Sequence, residues 1–260
     1  MNQTIKVGVV ALLLILFIAV FFMTWPGGIQ RYLNTASAPS DSKPAVLSER
    51  QGDMYLTSIT LRQGWNLISV PLVLNDSNVE RVFIDVIYDV IYSWNADSMT
   101  WDSHMPGIGG NLTDIAIDRG YWIHVNRNDT IVLYGYAPGP FRNVSLCKGW
   151  NLVGYSGYTT MPLNALLGQV NYRFAYSWNS SRVFGHPYGS GWEFSSPEGP
   201  RAFMSPPKPP VMKEPVYAGM GNFTGMEQGS GYWLYVQENS SWQYPTNYPS
   251  KGWPQGTVVR

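Results

Sequence analysis

The chain repeats itself, and no other feature of its 260 residues restricts the fold as tightly. Gly64-Trp65-Asn66-Leu67-Ile68 recurs as Gly149-Trp150-Asn151-Leu152-Val153, an offset of 85, and Tyr92-Ser93-Trp94-Asn95 recurs as Tyr176-Ser177-Trp178-Asn179, an offset of 84. Gly120-Tyr121-Trp122-Ile123-His124-Val125 recurs as Gly231-Tyr232-Trp233-Leu234-Tyr235-Val236 at 111. The first two offsets agree and fix the alignment; the jump of 27 places an insertion in the second copy between Tyr176 and Gly231. Similarity at a fixed spacing means one supersecondary unit used twice. Trp101-Asp102 corresponds to Trp192-Glu193 in the same alignment.

Each copy reads as mostly strand. Residues 59–61 and 65–70 are apolar runs either side of Gln63-Gly64, and residues 143–146 and 150–155 repeat the pattern. A short helix is expected after each: Ser77-Asn78-Val79-Glu80 fits a capping box, and Thr160 suits a cap before Pro162, Leu163, Leu166 and Leu167. Residues 91–95 and 99–102 are expected to form one hairpin, and residues 121–125 and 130–134 another. The expected fold is therefore mainly β (a β-rich α+β class), with two tandem, repeat-related small β domains at 54–140 and 141–244 and a tail at 245–260. About ninety residues per copy is enough for a core.

The insertion, at about 184–218, is rich in proline. Ser205-Pro-Pro-Lys-Pro-Pro-Val-Met-Lys-Glu-Pro215 favours an extended polyproline conformation and cannot serve as an interior strand. A stiff segment loses little entropy on docking, which makes Pro206, Pro207, Pro209 and Pro210 a candidate contact surface. The alternative is a decorative loop.

Ahead of the copies, residues 7–23 read VGVVALLLILFIAVFFM, and Thr24 and Trp25 extend the run to nineteen residues, about 28 Å of helix. This predicts a single transmembrane helix within residues 1–28. No small-x-small site follows closely, so an uncleaved signal anchor is expected rather than a cleaved leader. Trp25 suits the membrane interface, and Pro26-Gly27-Gly28 stops the helix. Residues 29–53, rich in Ser, Ala and Pro, form a spacer; nineteen of them mostly extended reach about 60 Å at ~3.1 Å each.

Seven Asn-x-Ser/Thr sites follow the anchor, at Asn75, Asn111, Asn128, Asn143, Asn179, Asn222 and Asn239. Their number suggests a glycosylated exterior location for the bulk of the chain. Charge points the same way by exclusion. Lys+Arg and Asp+Glu each total 17, and only 13% of residues are charged, which argues against a nucleic-acid partner and leaves glycans to maintain solubility.

The GWNL…YSW…W…GYW layout resembles tandem modules of secreted and surface-anchored proteins of archaea and some bacteria, including surface-layer-type proteins, over residues 55 to about 242. The resemblance implies a module architecture rather than a task. The second copy departs where Gly154-Tyr155-Ser156 stands for Ser69-Val70-Pro71, and in its insertion.

No catalytic constellation is visible. HExxH, GxSxG and a Walker phosphate loop are missing, and Gly107-Ile-Gly-Gly110 lacks the setting of a dinucleotide-binding turn. His104, His124 and His186 are scattered, one cysteine allows no internal disulfide, and neither a metal nor a cofactor is expected. Asp102 and Glu193 match a glycosidase pair only if the two copies face each other with both carboxylates across one sugar. Eight tryptophans form four repeat-related pairs, Trp65 with Trp150, Trp94 with Trp178, Trp101 with Trp192 and Trp122 with Trp233; retained at matching strand positions, they are expected in the core. Trp242 and Trp253 fall outside that set and are expected as exposed contacts. Cys147, opposite in facing to Leu146, is either a partly exposed thiol, free or bridging to another molecule, or a small buried residue.

The sequence thus suggests a non-enzymatic surface protein, held by one membrane span, whose two modules contact other coat or surface proteins or further copies of itself in a cell envelope, a surface layer or a virion. A carbohydrate-binding module is one alternative. A pilin-like subunit is another, since Lys6-Val7-Gly8 precedes a long apolar run, although Pro26-Gly27-Gly28 would interrupt a filament helix.

Overall fold

The computed structural model describes residues 54–182, 191–197, 204–212 and 224–249. The anchor segment, the spacer, His186, Asn222 and Trp253 lie outside them. The first copy supplies β1 (Met54–Leu61), β2 (Gly64–Ser69), β3 (Val73–Leu74), α1 (Val79–Val82), β4 (Tyr88–Asn95), β5 (Thr100–Met105), β6 (Gly109–Gly110), β7 (Gly120–Val125) and β8 (Asp129–Tyr136). The second supplies β9 (Phe141–Leu146), β10 (Gly149–Gly154), β11 (Met161–Pro162), α2 (Leu163–Leu167), β12 (Tyr172–Trp178), β13 (Trp192–Ser195), β14 (Gly225–Met226), β15 (Gly231–Val236) and β16 (Ser240–Pro245). The protein is mainly β.

The two copies share topology as well as sequence. The first has a sheet ordered β2-β7-β4-β5-β6 and the second one ordered β10-β15-β12-β13. Trp65 lies opposite His124 as Trp150 lies opposite Tyr235. A register break between Tyr88 and Val90 recurs between Tyr172 and Phe174. Trp94 faces Trp101, and Trp178 faces Trp192, which fixes the equivalence of the last pair.

The expected hairpin of residues 121–125 with 130–134 is not formed. Strand β7 pairs with β2 and β4, whereas β8 pairs with β1 and β3. Both β1–β2 and β7–β8 are corners at which the chain leaves an outer ribbon and enters an inner sheet, and β9–β10 and β15–β16 do the same. The GWNL motif builds the corner. Gly64 and Gly149 have φ of +95° and +102°, which a side chain disfavours. Asn66 Oδ1 accepts from Arg62 N at 2.9 Å while Nδ2 donates to the Arg62 carbonyl, and Asn151 repeats both bonds with Cys147. Across the corner, Asn128 Oδ1 accepts from Gln63 N and Asn239 Oδ1 from Lys148 N.

The helices are shorter and capped differently than expected. Asn78, not Ser77, caps α1 by accepting from Glu80 N and Arg81 N, because Ser77 Oγ is directed to Asp114. α2 has Pro162 as its N-cap and no side-chain cap; Leu163 N instead donates to the Thr224 carbonyl, while Leu163, Leu166 and Leu167 are buried as one face.

Strand alternation divides the apolar residues into three clusters. Ile68, Tyr121, Ile123 and Val125 pack under the β1–β8 ribbon with Ile59, Leu61 and Ile131. Val153, Tyr232, Leu234 and Val236 pack under β9–β16 with Leu146 and Trp242. The third cluster belongs to both copies: Trp65, Leu67, Tyr92 and Trp122 meet Leu152, Phe174, Tyr176, Trp178, Trp192 and Trp233. The two inner sheets therefore pack against each other, and the described residues form one compact unit.

The contacts across this layer are reciprocal. Trp178 Nε1 donates to the Trp65 carbonyl at 2.8 Å, and Trp94 Nε1 to the Trp150 carbonyl at 3.0 Å. Backbone bridges join Ile68 to Ser230 and Arg119 to Val153. Arg62 Nε donates to Ser181 Oγ where Cys147 Sγ donates to Asp97. Every partner maps onto its counterpart under the sequence alignment, which is the signature of an approximate two-fold axis.

The axis makes two like cages. Trp122 packs edge to face with Trp65, Trp178 and Trp192 at centroid distances of 5.3–6.2 Å. Trp233 is surrounded by Trp150, Trp94 and Trp101 at 5.8–6.0 Å. Among the described residues neither ring has a hydrogen-bond partner for Nε1, so burial and ring packing hold them. Trp122→Ala and Trp233→Ala are each expected to cost about 3–5 kcal/mol, measured from urea unfolding midpoints. Similar losses at the two positions are expected because the cages match.

Candidate functional site

A cleft of about 750 Å³ lies in the second copy, lined by Ser177, Trp178, Asn179, Glu193, Glu227 and Tyr232, among others. Strands β12 and β13 place Ser177 opposite Glu193, and Ser177 Oγ donates to Glu193 Oε2 at 2.9 Å. Asn179 Nδ2 donates to Glu193 Oε1 at 3.4 Å. In the first copy the matching carboxylate, Asp102, is held by its own neighbours. Arg119 Nη2 meets Asp102 Oδ2 at 3.1 Å, and Asn111 Nδ2 donates to the same carboxylate. Ser230 stands where the first copy has Arg119, so the guanidinium that meets Asp102 has no counterpart at that position.

Asp102 and Glu193 do not form a glycosidase pair. The copies do face each other, but Trp101 and Trp192 turn into the shared layer. Alternation along β5 and β13 then directs Asp102 and Glu193 to the outer side of their own sheets, away from one another.

His104, His124 and Cys147 are each bonded to neighbours within the fold. His104 is buried, with Nδ1 at 3.1 Å from Tyr88 Oη and Nε2 at 3.4 Å from Glu80. His124 is half-buried against the edge of Trp65 and meets Asp89 at 2.8 Å. Cys147 is half-buried, and its hydrogen bond to the Asp97 carboxylate raises the thiol above its ordinary pKa. Among the described residues, no three His, Cys, Asp or Glu side chains come together as metal ligands.

One polar centre escaped the sequence reading. Asp118 is buried and accepts from Arg142 Nε at 2.8 Å, Arg142 Nη2, Ser156 Oγ and Tyr244 Oη. It ties the first copy to the second. The signal was present in the alignment: Asp118 stands opposite Gly229, and both have positive φ, +70° and +81°.

Two contact expectations change. Trp242 is fully buried, because β16 repeats β8 and Trp242 takes the core position of Ile131; its Nε1 donates to the Leu166 carbonyl. Within residues 204–212, Pro206 and Pro209 are buried, leaving Pro207 half-buried and Pro210 exposed. Tyr176 Oη donates to the Met204 carbonyl and Met212 enters the shared aromatic cluster, so this stretch lies against the body. The eight repeat-paired tryptophans all belong to that cluster, with Trp94, Trp101 and Trp150 only partly buried.

No family model, curated protein or solved structure matches the chain.

The buried tyrosines supply a pH test. Burial raises Tyr88, Tyr121 and Tyr155 to about 12, and raises Tyr232 and Tyr244 further. Unfolded tyrosine ionises near 10. Above that pH the folded chain retains more protons than the unfolded one, so these groups leave stability unchanged below about pH 10 and reduce it as pH rises toward 12. Ultraviolet titration is expected to show their tyrosinate absorbance appearing together with loss of near-ultraviolet circular dichroism, not before it.

Proposed function

We propose that this protein is a non-enzymatic surface component, anchored by the apolar segment at residues 7–25, whose spacer carries one stiff β body into the exterior. The observation that carries the reading is the shared aromatic layer. The repeated tryptophans and tyrosines are used to fuse two sheets, and His104, His124 and several carboxylates are used in pairs within the fold. Such a chain offers outer surfaces rather than a reaction centre. Its partners are other coat or surface proteins, and its setting is a cell envelope, a surface layer or a virion. The residues of the anchor lie outside those described, and the described ones include no helix long and apolar enough to cross a membrane.

A second reading is supported by the cleft beside Glu193. Hydroxyls from Thr160, Ser177, Ser180, Ser181 and Ser230 and two carboxylates line it, a polar set suited to a polyhydroxy ligand. Isothermal titration against a panel of oligosaccharides tests it; no heat with any of them removes it.

Deleting residues 1–28 is expected to move the protein from the membrane pellet to the soluble fraction with its tryptophan fluorescence unchanged. Retention in membranes after that deletion overturns the anchor.

Sugar attachment follows from side-chain bonding. Asn128, Asn143 and Asn239 are exposed and use Oδ1, accepting from Gln63 N, Ser241 Oγ and Lys148 N. Their Nδ2 atoms remain open among the described residues. Asn111 and Asn179 instead commit Nδ2 to Asp102 and Glu193. Glycopeptide mass spectrometry from a glycosylating host is expected to find the first three occupied and the latter two bare; the reverse pattern contradicts the assignment.

A further inference from the structure

The two outer ribbons occupy matching positions but carry different surfaces. On the first, Met54, Leu56, Ser58 and Thr60 of β1 point outward, opposite Tyr136, Tyr134, Val132 and Thr130 of β8. Met54, Leu56, Val132 and Tyr134 are 46%, 45%, 52% and 63% exposed, and none of the eight outward residues is charged. The large apolar side chains stand directly across the ladder from one another, so they form one patch rather than scattered singles. On the second ribbon the corresponding outward residues are Asn143, Ser145, Ser241 and Gln243, with exposed Phe141 opposite Pro245 at one end. The fold therefore does not require an apolar outer face along the whole ribbon, and the first copy alone carries a patch of four exposed large apolar residues there.

We propose that this face of β1 and β8 is the docking surface for the same face of a second copy of the chain. Three observations select that occupant. Depletion of charge with enrichment in Met and Tyr is the composition of the buried centre of a protein interface, and a flat ribbon without Lys or Arg has neither the protruding loop nor the positive charge suited to an anionic lipid surface. The molecule already joins sheet to sheet through aromatic faces about an axis, so its strand twist suits such packing. Chain exit agrees as well: the first 53 residues lead into Met54 within the patch, and Tyr55 Oη donates to the Pro249 carbonyl, bringing the carboxy-terminal exit to the same strand. A two-fold contact there sets both amino-terminal segments side by side, as two anchors in one membrane require. Because each chain has one such face, the contact closes as a dimer and does not propagate. The exit argument rests on the anchor proposed above; the surface argument does not.

The test uses the full chain, extracted in mild detergent and weighed by mass photometry and by sedimentation. The wild-type chain is expected to be a dimer. Leu56→Glu with Tyr134→Glu is expected to give monomer with unchanged near-ultraviolet circular dichroism, while Ser145→Glu with Gln243→Glu on the matching polar ribbon leaves the dimer intact. Should the Glu pair on the first ribbon unfold the chain, Leu56→Ser with Val132→Ser serves in its place, with at least a tenfold weaker dimer expected. A monomeric wild-type chain overturns the proposal, as does a dimer indifferent to both ribbons. Slowed hydrogen exchange over 54–60 and 130–136 that appears only when phosphatidylglycerol vesicles are added overturns it in favour of a lipid surface. Alkaline carbonate extraction of the same membranes reads the anchor separately, so loss of the dimer and loss of the anchor are distinguishable.

Discussion

The aromatic layer between the two inner sheets is what the rest of the molecule depends on. Each copy alone has a thin outer ribbon, a short helix and an inner sheet whose second face is crowded with tryptophan and tyrosine. That second face cannot remain in water, because a fully buried aromatic side chain is worth a few kcal/mol and each copy has several. Packing the faces together removes both from solvent. The indole donors of Trp94 and Trp178 then find carbonyl acceptors on the far side, so the layer fixes alignment as well as area.

The corner geometry follows from the same need. An inner sheet buried on both faces requires its first and last strands to continue into an outer ribbon that covers one face. Gly64 and Gly149 make that turn possible, and Asn66 and Asn151 hold it by satisfying the backbone groups the corner would otherwise leave unpaired. The GWNL motif is therefore explained residue by residue. Its Gly turns, its Trp enters the shared layer, its Asn locks the turn and its Leu packs beside the Trp.

Much of this was legible in the sequence. The offsets at Gly64, Tyr92 and Gly120 recovered strands, order and insertion, since side chains that fill matched core positions resist change in both copies. The corners were not legible. Residues 121–125 and 130–134 have the alternation and spacing of a hairpin, and only the pairing of β8 with β1 shows that the turn changes sheet. Trp242 is buried for a related reason: recognisable sequence similarity ends at the GYW motif, while the structural repeat runs one strand further. The Asp118 centre arises where the copies differ, with Gly229 at the equivalent position, and repetition carries no sign of such a difference. Partner contacts depend on outward residues, which periodicity reports only as a face.

The approximate axis has a consequence for how the halves can change. In an assembly of two separate identical chains, any substitution at the contact is made on both sides at once and must suit itself. Here the facing residues are independent letters of one text, so a bulky or charged replacement on one side can be answered by a small one on the other. Ser69 and Gly154, equivalent in the repeat, are such a pair: a Cβ on Gly154 would lie 2.5 Å from that of Ser69. One half is thereby left free to acquire an opening and a long proline segment while the other keeps the frame.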